Sequence, residues 1–235
     1  MEEKKLKGFI HQLCEINETD KESLFQLMDK YYSINREGFF SDLARKNFAI
    51  VLRDESDIIR GFTTIMMFDG NIDDNHFRVL FSGDTIIEKE FWGSLELPKI
   101  WGKFMIEQIK SSPDKPLYWF LISSGYKTYR FLPVFFREYY PSSERETPPE
   151  SASIINYIGK KLFGERFSPE TGIIKLENPT PLKDGVADLS EERTKDRHIS
   201  FFLSKNPGYI HGDELACLAR LEMDNIKPFM RRVLK

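Results

Sequence analysis

The chain has little cysteine, no long apolar run and no excess of either charge, and each lack removes a class of protein. Among its 235 residues the only cysteines are Cys14 and Cys217. They lie far apart and outside any C-x-x-C or Cys/His spacing, so both read as reduced thiols rather than parts of a disulfide framework or a zinc site. No stretch approaches the ~20 apolar residues of a membrane-spanning helix. The opening Met-Glu-Glu-Lys-Lys-Leu-Lys has no apolar segment of the kind a secretory signal needs, so the cytoplasm is the expected location. With 34 Lys and Arg against 37 Asp and Glu, the net charge is −3. No positive field gathers phosphates, and nucleic acid is not an expected partner. His11, His76, His198 and His211 show neither an i, i+4 pair nor a carboxylate spacing that suits a metal, so none is expected. A serine hydrolase is disfavoured too, since no Gly-x-Ser-x-Gly elbow occurs.

What the chain does have is apolar and aromatic material, 40% hydrophobic with 20 Phe, 9 Tyr and 3 Trp, enough for a core without staples. A strand is expected over Phe9 to Ile16. Thr19 to Glu22 has the T-x-x-E form of a capping box, and Leu24, Leu27, Met28 and Tyr31 follow at helical spacing. A short helix fits Glu37 to Arg45. Phe48 to Arg53 and Ile58 to Phe68 read as a hairpin around Asp54 to Asp57, with the next turn at Asp69 to Asn75. Phe77 to Phe81 and Thr85 to Ile87 read as one strand interrupted at Ser82-Gly83-Asp84, where the glycine signals a bulge or a close approach. Pro98 opens a helix through Ile109. Leu117 to Ile122 is continuously apolar, as a strand covered on both faces should be. An aromatic segment from Gly125 to Tyr140 is broken at Pro133, and Ser142 to Pro149 has linker composition. Beyond it are expected helices at Ser151 to Leu162, Glu191 to Leu203 and Asp213 to Lys235, a short strand at Gly172 to Leu176, and a loop with Pro179 and Pro181.

This order of elements over Phe9 to Pro141 resembles the GNAT acyltransferase superfamily. Phe120-Leu121-Ile122-Ser123-Ser124-Gly125-Tyr126 with Tyr129 is similar to that family's last strand and the helix bearing its catalytic tyrosine. The phrase Gly125 to Pro141 also resembles bacterial GNAT-like proteins. The resemblance implies an α/β fold with a mixed, mainly antiparallel sheet flanked by helices over residues 1–141. Residues 142–235 would form a mostly helical C-terminal extension packed on it.

At the place of the family's pyrophosphate loop stands Glu90-Phe91-Trp92-Gly93-Ser94-Leu95. Gly93 keeps the central glycine, but Glu90 replaces an arginine or glutamine and Leu95 a small residue. A carboxylate beside the N–H groups that bind a diphosphate repels it. An acyl carrier protein thioester therefore stands beside acyl-CoA as the implied co-substrate.

Aminolysis of a thioester needs a base for the amine, a donor for the carbonyl oxygen and an acid for the thiolate. The resemblance assigns Asp84 as base or amine ligand and Tyr129, then Tyr126, as acid. Ser82, Gly83, Gly93, Ser123, Lys127 and Arg130 become candidate substrate or donor contacts. Each has a plainer alternative: a turn-forming aspartate, a strand-end serine, core tyrosines three residues apart, solvated basic side chains. The expected function is an acyltransferase moving an acyl group from a thioester, acyl-CoA or acyl carrier protein, to an amine. The other reading is a non-catalytic GNAT-like module that binds a lipid or a peptide.

Overall fold

A computed structural model describes residues 5–176 and 194–233. The chain divides into two compact units. The first unit comprises residues 1–68, 80–114 and 228–235; the second comprises 69–79 and 115–227. The α/β class and the mainly antiparallel strand arrangement expected from the sequence are both present.

In the first unit β1 (Lys7–Gln12) and β2 (Phe48–Arg53) pair antiparallel, and β2 pairs antiparallel with β3 (Ile59–Ile72), followed by β4 (Asn75–Ile87); the end of β3 from Asp69 and the start of β4 through Val79 belong to the second unit. Helix α1 (Glu18–Asp29) is capped by Asn17, whose side chain accepts from the Asp20 N–H at 2.8 Å. Thr19 is therefore inside the helix rather than at its cap, because an asparagine two residues earlier already satisfies the first-turn donor. Leu24, Leu27 and Met28 form the buried face that the spacing predicts. They pack with Phe39 and Leu43 of α2 (Arg36–Leu43) onto Ala49, Val51, Phe62 and Ile86. Burying each such side chain stabilises the fold by about 1.5–3 kcal/mol. Helix α3 (Glu96–Ser111) lies against β1 and β2. Its Phe104 ring is 5.2 Å from that of Phe48, and Ile100 sits so close to Gly8 that a Cβ there would be 2.4 Å from its Cγ1.

The turn expected at Asp69 to Asn75 is shorter than its composition suggests, since β3 runs on to Ile72 and β4 begins at Asn75. Gly70 belongs to the strand because the Phe77 ring lies where its side chain would be, 2.3 Å from an added Cβ. The expected interruption at Ser82-Gly83-Asp84 does not break β4, which is one strand throughout.

In the second unit β5 (Leu117–Ser123) pairs antiparallel with β8 (Glu214–Arg220), β8 with β7 (Ile173–Ile174), and β7 with β6 (Phe167–Ser168). The helix expected over Asp213 to Lys235 is thus replaced by β8, a 3₁₀ turn at Met223–Asn225 and the short helix Pro228–Val233. β8, which lies beyond residue 141, pairs with β5 within this unit. The helix Pro149–Phe163 has Pro149 in its first turn, and its Gly159 admits the Phe167 ring at 2.7 Å from an added Cβ. The aromatic segment forms two short helices, Tyr126–Tyr129 and Phe131–Phe135. The expected helix near Glu191 is found at Arg197–Lys205. Its expected beginning and the loop with Pro179 and Pro181 lie outside the described residues.

Candidate active site

The predicted residues fall into separate groups. Ser82, Gly83, Asp84 and Gly93 belong to the first unit; Ser123, Tyr126, Lys127, Tyr129 and Arg130 belong to the second.

In the first unit the polar group is built on β4. Thr64 of β3 donates from Oγ1 to Asp84 Oδ2 at 3.3 Å, while Thr63 and Thr85 share a 2.7 Å hydrogen bond between their hydroxyls. Lys46, which follows α2, reaches the same place. Its side chain is 1% exposed, and its Nζ lies 2.7 Å from Asp42 Oδ2 and 4.8 Å from the centre of the Phe81 ring. A Cβ on Gly83 would be 2.8 Å from this Nζ and 2.7 Å from Thr64 Oγ1. The glycine signal in the sequence thus marks a close approach, and what approaches is a lysine. Burial pushes the Asp84 carboxyl above the ordinary aspartate range; the Lys46 charge pulls it back and the Asp42 charge adds to the rise. A carboxyl so placed holds protons at higher pH than a solvated one, which suits a group that must take a proton and release it again.

Lys46 is the residue that sequence reasoning missed. The one available signal was the Asp42/Lys46 spacing, which places the two side chains on one helical face.

Near this group the carboxylate of Glu88 is held by Lys30 Nζ at 2.5 Å and by Arg60 Nη1 at 2.7 Å, and Arg60 Nε donates to Asp54 Oδ2 at 2.7 Å. Burial pushes Glu88 up, but the Lys30 and Arg60 hydrogen bonds outweigh it and hold its carboxyl below the usual range. Gly93 takes a left-handed φ of 97° with open space around it, in the turn that leads to α3. Its neighbour Trp92 donates from Nε1 to the Ile87 carbonyl at 2.8 Å, and Glu90 is exposed. The α3 entrance is tied internally, with Ser94 Oγ accepting from the Glu96 N–H at 3.2 Å and Glu96 Oε1 accepting from the Gly8 N–H at 3.1 Å.

In the second unit the predicted side chains are sequestered. Ser123 is fully buried with its Oγ 4.0 Å from Cys217 Sγ, and burial pushes that thiol up to about 12. Tyr126 and Tyr129 are both buried. The Tyr129 hydroxyl donates to the Pro141 carbonyl at 2.9 Å, and burial raises it well above the ordinary phenol range. Lys127 is exposed. Arg130 Nη2 stands 4.0 Å from Asp196 Oδ2.

Among the described residues no group of three or more His, Cys, Asp or Glu is placed to hold a metal ion, and no helix is long and apolar enough to cross a membrane.

No protein-family model matches the chain, and no curated protein matches it either. Among solved structures it is similar to a conserved protein of Enterococcus faecalis described as a probable N-acyltransferase, with a TM-score of 0.43 and 12% identity over 57% of this chain. That match spans 33% of the Enterococcus protein, so this chain corresponds to a third of its length. It is similar also to YhbS of Escherichia coli, a GNAT family N-acetyltransferase solved in complex with CoA, with a TM-score of 0.38 and 8% identity over 53% of this chain and 67% of that one. A third is Escherichia coli ElaA, with a TM-score of 0.39 and 16% identity over 59% of this chain and 93% of ElaA.

Proposed function

We propose that the protein is an acyltransferase that moves an acyl group from a thioester donor to an amine, with Asp84 as its proton-transfer group. The observation that carries this reading is the placement of Asp84: a carboxyl on β4 raised by burial, hydrogen-bonded by the Thr64 hydroxyl and subject to the charge of Lys46. The amine nitrogen attacks the thioester carbonyl, a C–N bond forms, and Asp84 takes the proton that the nitrogen sheds. The C–S bond then breaks and the carboxyl returns this proton to the departing thiolate. A carboxylate of ordinary acidity would be a weaker base for the first step.

The donor is an acyl-CoA or an acyl carrier protein thioester. Glu90 beside the turn at Gly93 favours a donor whose diphosphate is not gripped there, and the exposed apolar surfaces of Trp92 and Leu95 on that turn suit an acyl chain or an apolar partner. The same two side chains are what favours the second reading, a module that binds a lipid or peptide without turning it over.

Thiol release tests the two together. Acetyl-, octanoyl- and palmitoyl-CoA and an acyl carrier protein thioester are offered with a set of primary amines, and free thiol is followed. Release above background with at least one pair, reduced about 100-fold or more in Asp84→Asn with an unchanged Tm, is the expected result. No release from any donor, together with a raised Tm in the presence of a lipid or peptide, would establish the binding module instead.

A further inference from the structure

The buried ammonium of Lys46 is not absorbed by the fold. Burying a cation is costly unless it is paired, and a lysine used only for packing would leave its Nζ in solvent. Here the Nζ is 2.7 Å from Asp42, stands over the Phe81 ring, and presses so near Gly83 that no other residue would fit without displacing it or Thr64. Asp42 itself is 42% exposed, so the pair does not need the interior to exist. The strand has given up a side chain at Gly83 at the place where this ammonium lies, one residue before Asp84.

We propose that Lys46, held by Asp42, is a positioning residue for Asp84: it fixes a positive charge behind Gly83 that favours the carboxylate form of Asp84 and so sets the pH at which acyl transfer begins. The inference rests on the reading of Asp84 as the proton-transfer group. Among the described residues the charges that act on Asp84 are Lys46, which follows α2, and Asp42 on α2; β3 contributes the Thr64 hydroxyl. Removing the cation leaves burial and Asp42, both of which favour the protonated form, so the Asp84 midpoint must rise.

The experiment reads Asp84 directly, by carbon NMR of the intact protein labelled at its aspartate carboxyl groups, titrated without any donor or acceptor. Lys46→Gln keeps a hydrogen-bond donor for Asp42 while dropping the charge. It is expected to raise the Asp84 midpoint by about one pH unit or more, and Lys46→Arg to return it close to the wild-type value. The acid limb of the kcat/KM profile should move upward by the same amount in Lys46→Gln and not in Lys46→Arg. Lys46→Met serves where the glutamine variant does not fold. An unchanged Asp84 midpoint, or a shift that arginine fails to reverse, overturns the inference. Because the midpoint is measured without substrate, a rise in it combined with no thiol release from any donor would sustain the role of Lys46 while refuting acyl transfer.

Discussion

The two units bury polar groups in opposite ways. The first buries charge, Lys46 against Asp42 and Glu88 between Lys30 and Arg60, with the half-buried Asp84 under the influence of Lys46. The second buries mainly neutral groups, Ser123, Cys217, Tyr129, and Tyr139 with its hydroxyl 3.2 Å from His198 Nδ1, with Glu214 of β8 as the exception. In that unit burial pushes Tyr129, Tyr139 and Cys217 up and His198 down, which in every case favours the uncharged form. The difference teaches where proton chemistry can reside. A carboxyl that burial lifts from its ordinary range, as at Asp84, moves toward neutral pH, whereas a phenol or thiol pushed up from an already high value keeps its proton and serves as a hydrogen-bonding part of a core.

The contrast is sharpest at the cysteines. Cys14 in the first unit is exposed and Cys217 in the second is fully buried on β8, with its thiol pushed up to about 12. The thiolate is the reactive form, and a central strand opens only with much of the global unfolding free energy. Cys217 should therefore react with a neutral alkylating reagent at least ~1,000-fold more slowly than Cys14 in the native protein, an estimate that follows from ~5 kcal/mol of protection. Mass spectrometry of the labelled protein should show one modification in buffer and two in denaturant. Equal rates would mean that β8 is not held as described.

Glu88 tests the charged side of the comparison. Its carboxyl is depressed by its partners. The stability it contributes is therefore present above its unfolded value of 4.5 and is lost as pH falls through the lower folded value. Glu88→Gln should cost roughly 1–2 kcal/mol near pH 7, discounted because Lys30 is more than half exposed. The gap in Tm between wild type and variant should close on acidification below the usual carboxylate range. A gap that persists at acid pH would mean that packing, not charge, is what Glu88 supplies.

Much of this was legible in the sequence where one signal dominates. The face Leu24, Leu27, Met28 has helical period and nothing opposing it, and the apolar run of β5 is too short for a helix and too apolar for a half-solvated strand. β8 was not legible. Glu-Leu-Ala-Cys-Leu-Ala-Arg is made largely of good helix formers, but pairing with β5 buries every residue from Glu214 to Ala219, and that burial overrides propensity. The position of Asp84 was readable from the glycine before it. Lys46 was not, because a lysine between an arginine and an asparagine reads as solvated surface, and only the fold reveals that its stem runs under the sheet to Gly83. A buried charge leaves little trace in composition.

The smallest effect is expected at Tyr129, and it bears on the neutral side of the comparison. The sequence resemblance makes this phenol the acid for the departing thiolate, while the structure gives its hydroxyl a carbonyl acceptor, Pro141, at 2.9 Å and rings on several sides, Tyr139 at 6.2 Å and Phe202 at 5.7 Å among them. Tyr129→Phe keeps the ring and removes only the donor. If the hydroxyl is a structural link between the short helix Tyr126–Tyr129 and the segment at Pro141, the variant loses about 1 kcal/mol of stability, the usual net value of one buried hydrogen bond. Thiol release is then unchanged. If the phenol is the acid, stability barely moves and turnover falls about 100-fold. The hydrogen bond and the upward push of burial both favour the first outcome, because a donor already committed to a carbonyl and far from neutral acidity delivers its proton reluctantly. Denaturant unfolding and the thiol-release rate, measured on the same preparation of wild type and Tyr129→Phe, separate the two. A full loss of turnover at unchanged stability would move the proton chemistry into the second unit and break the contrast between charged and neutral burial.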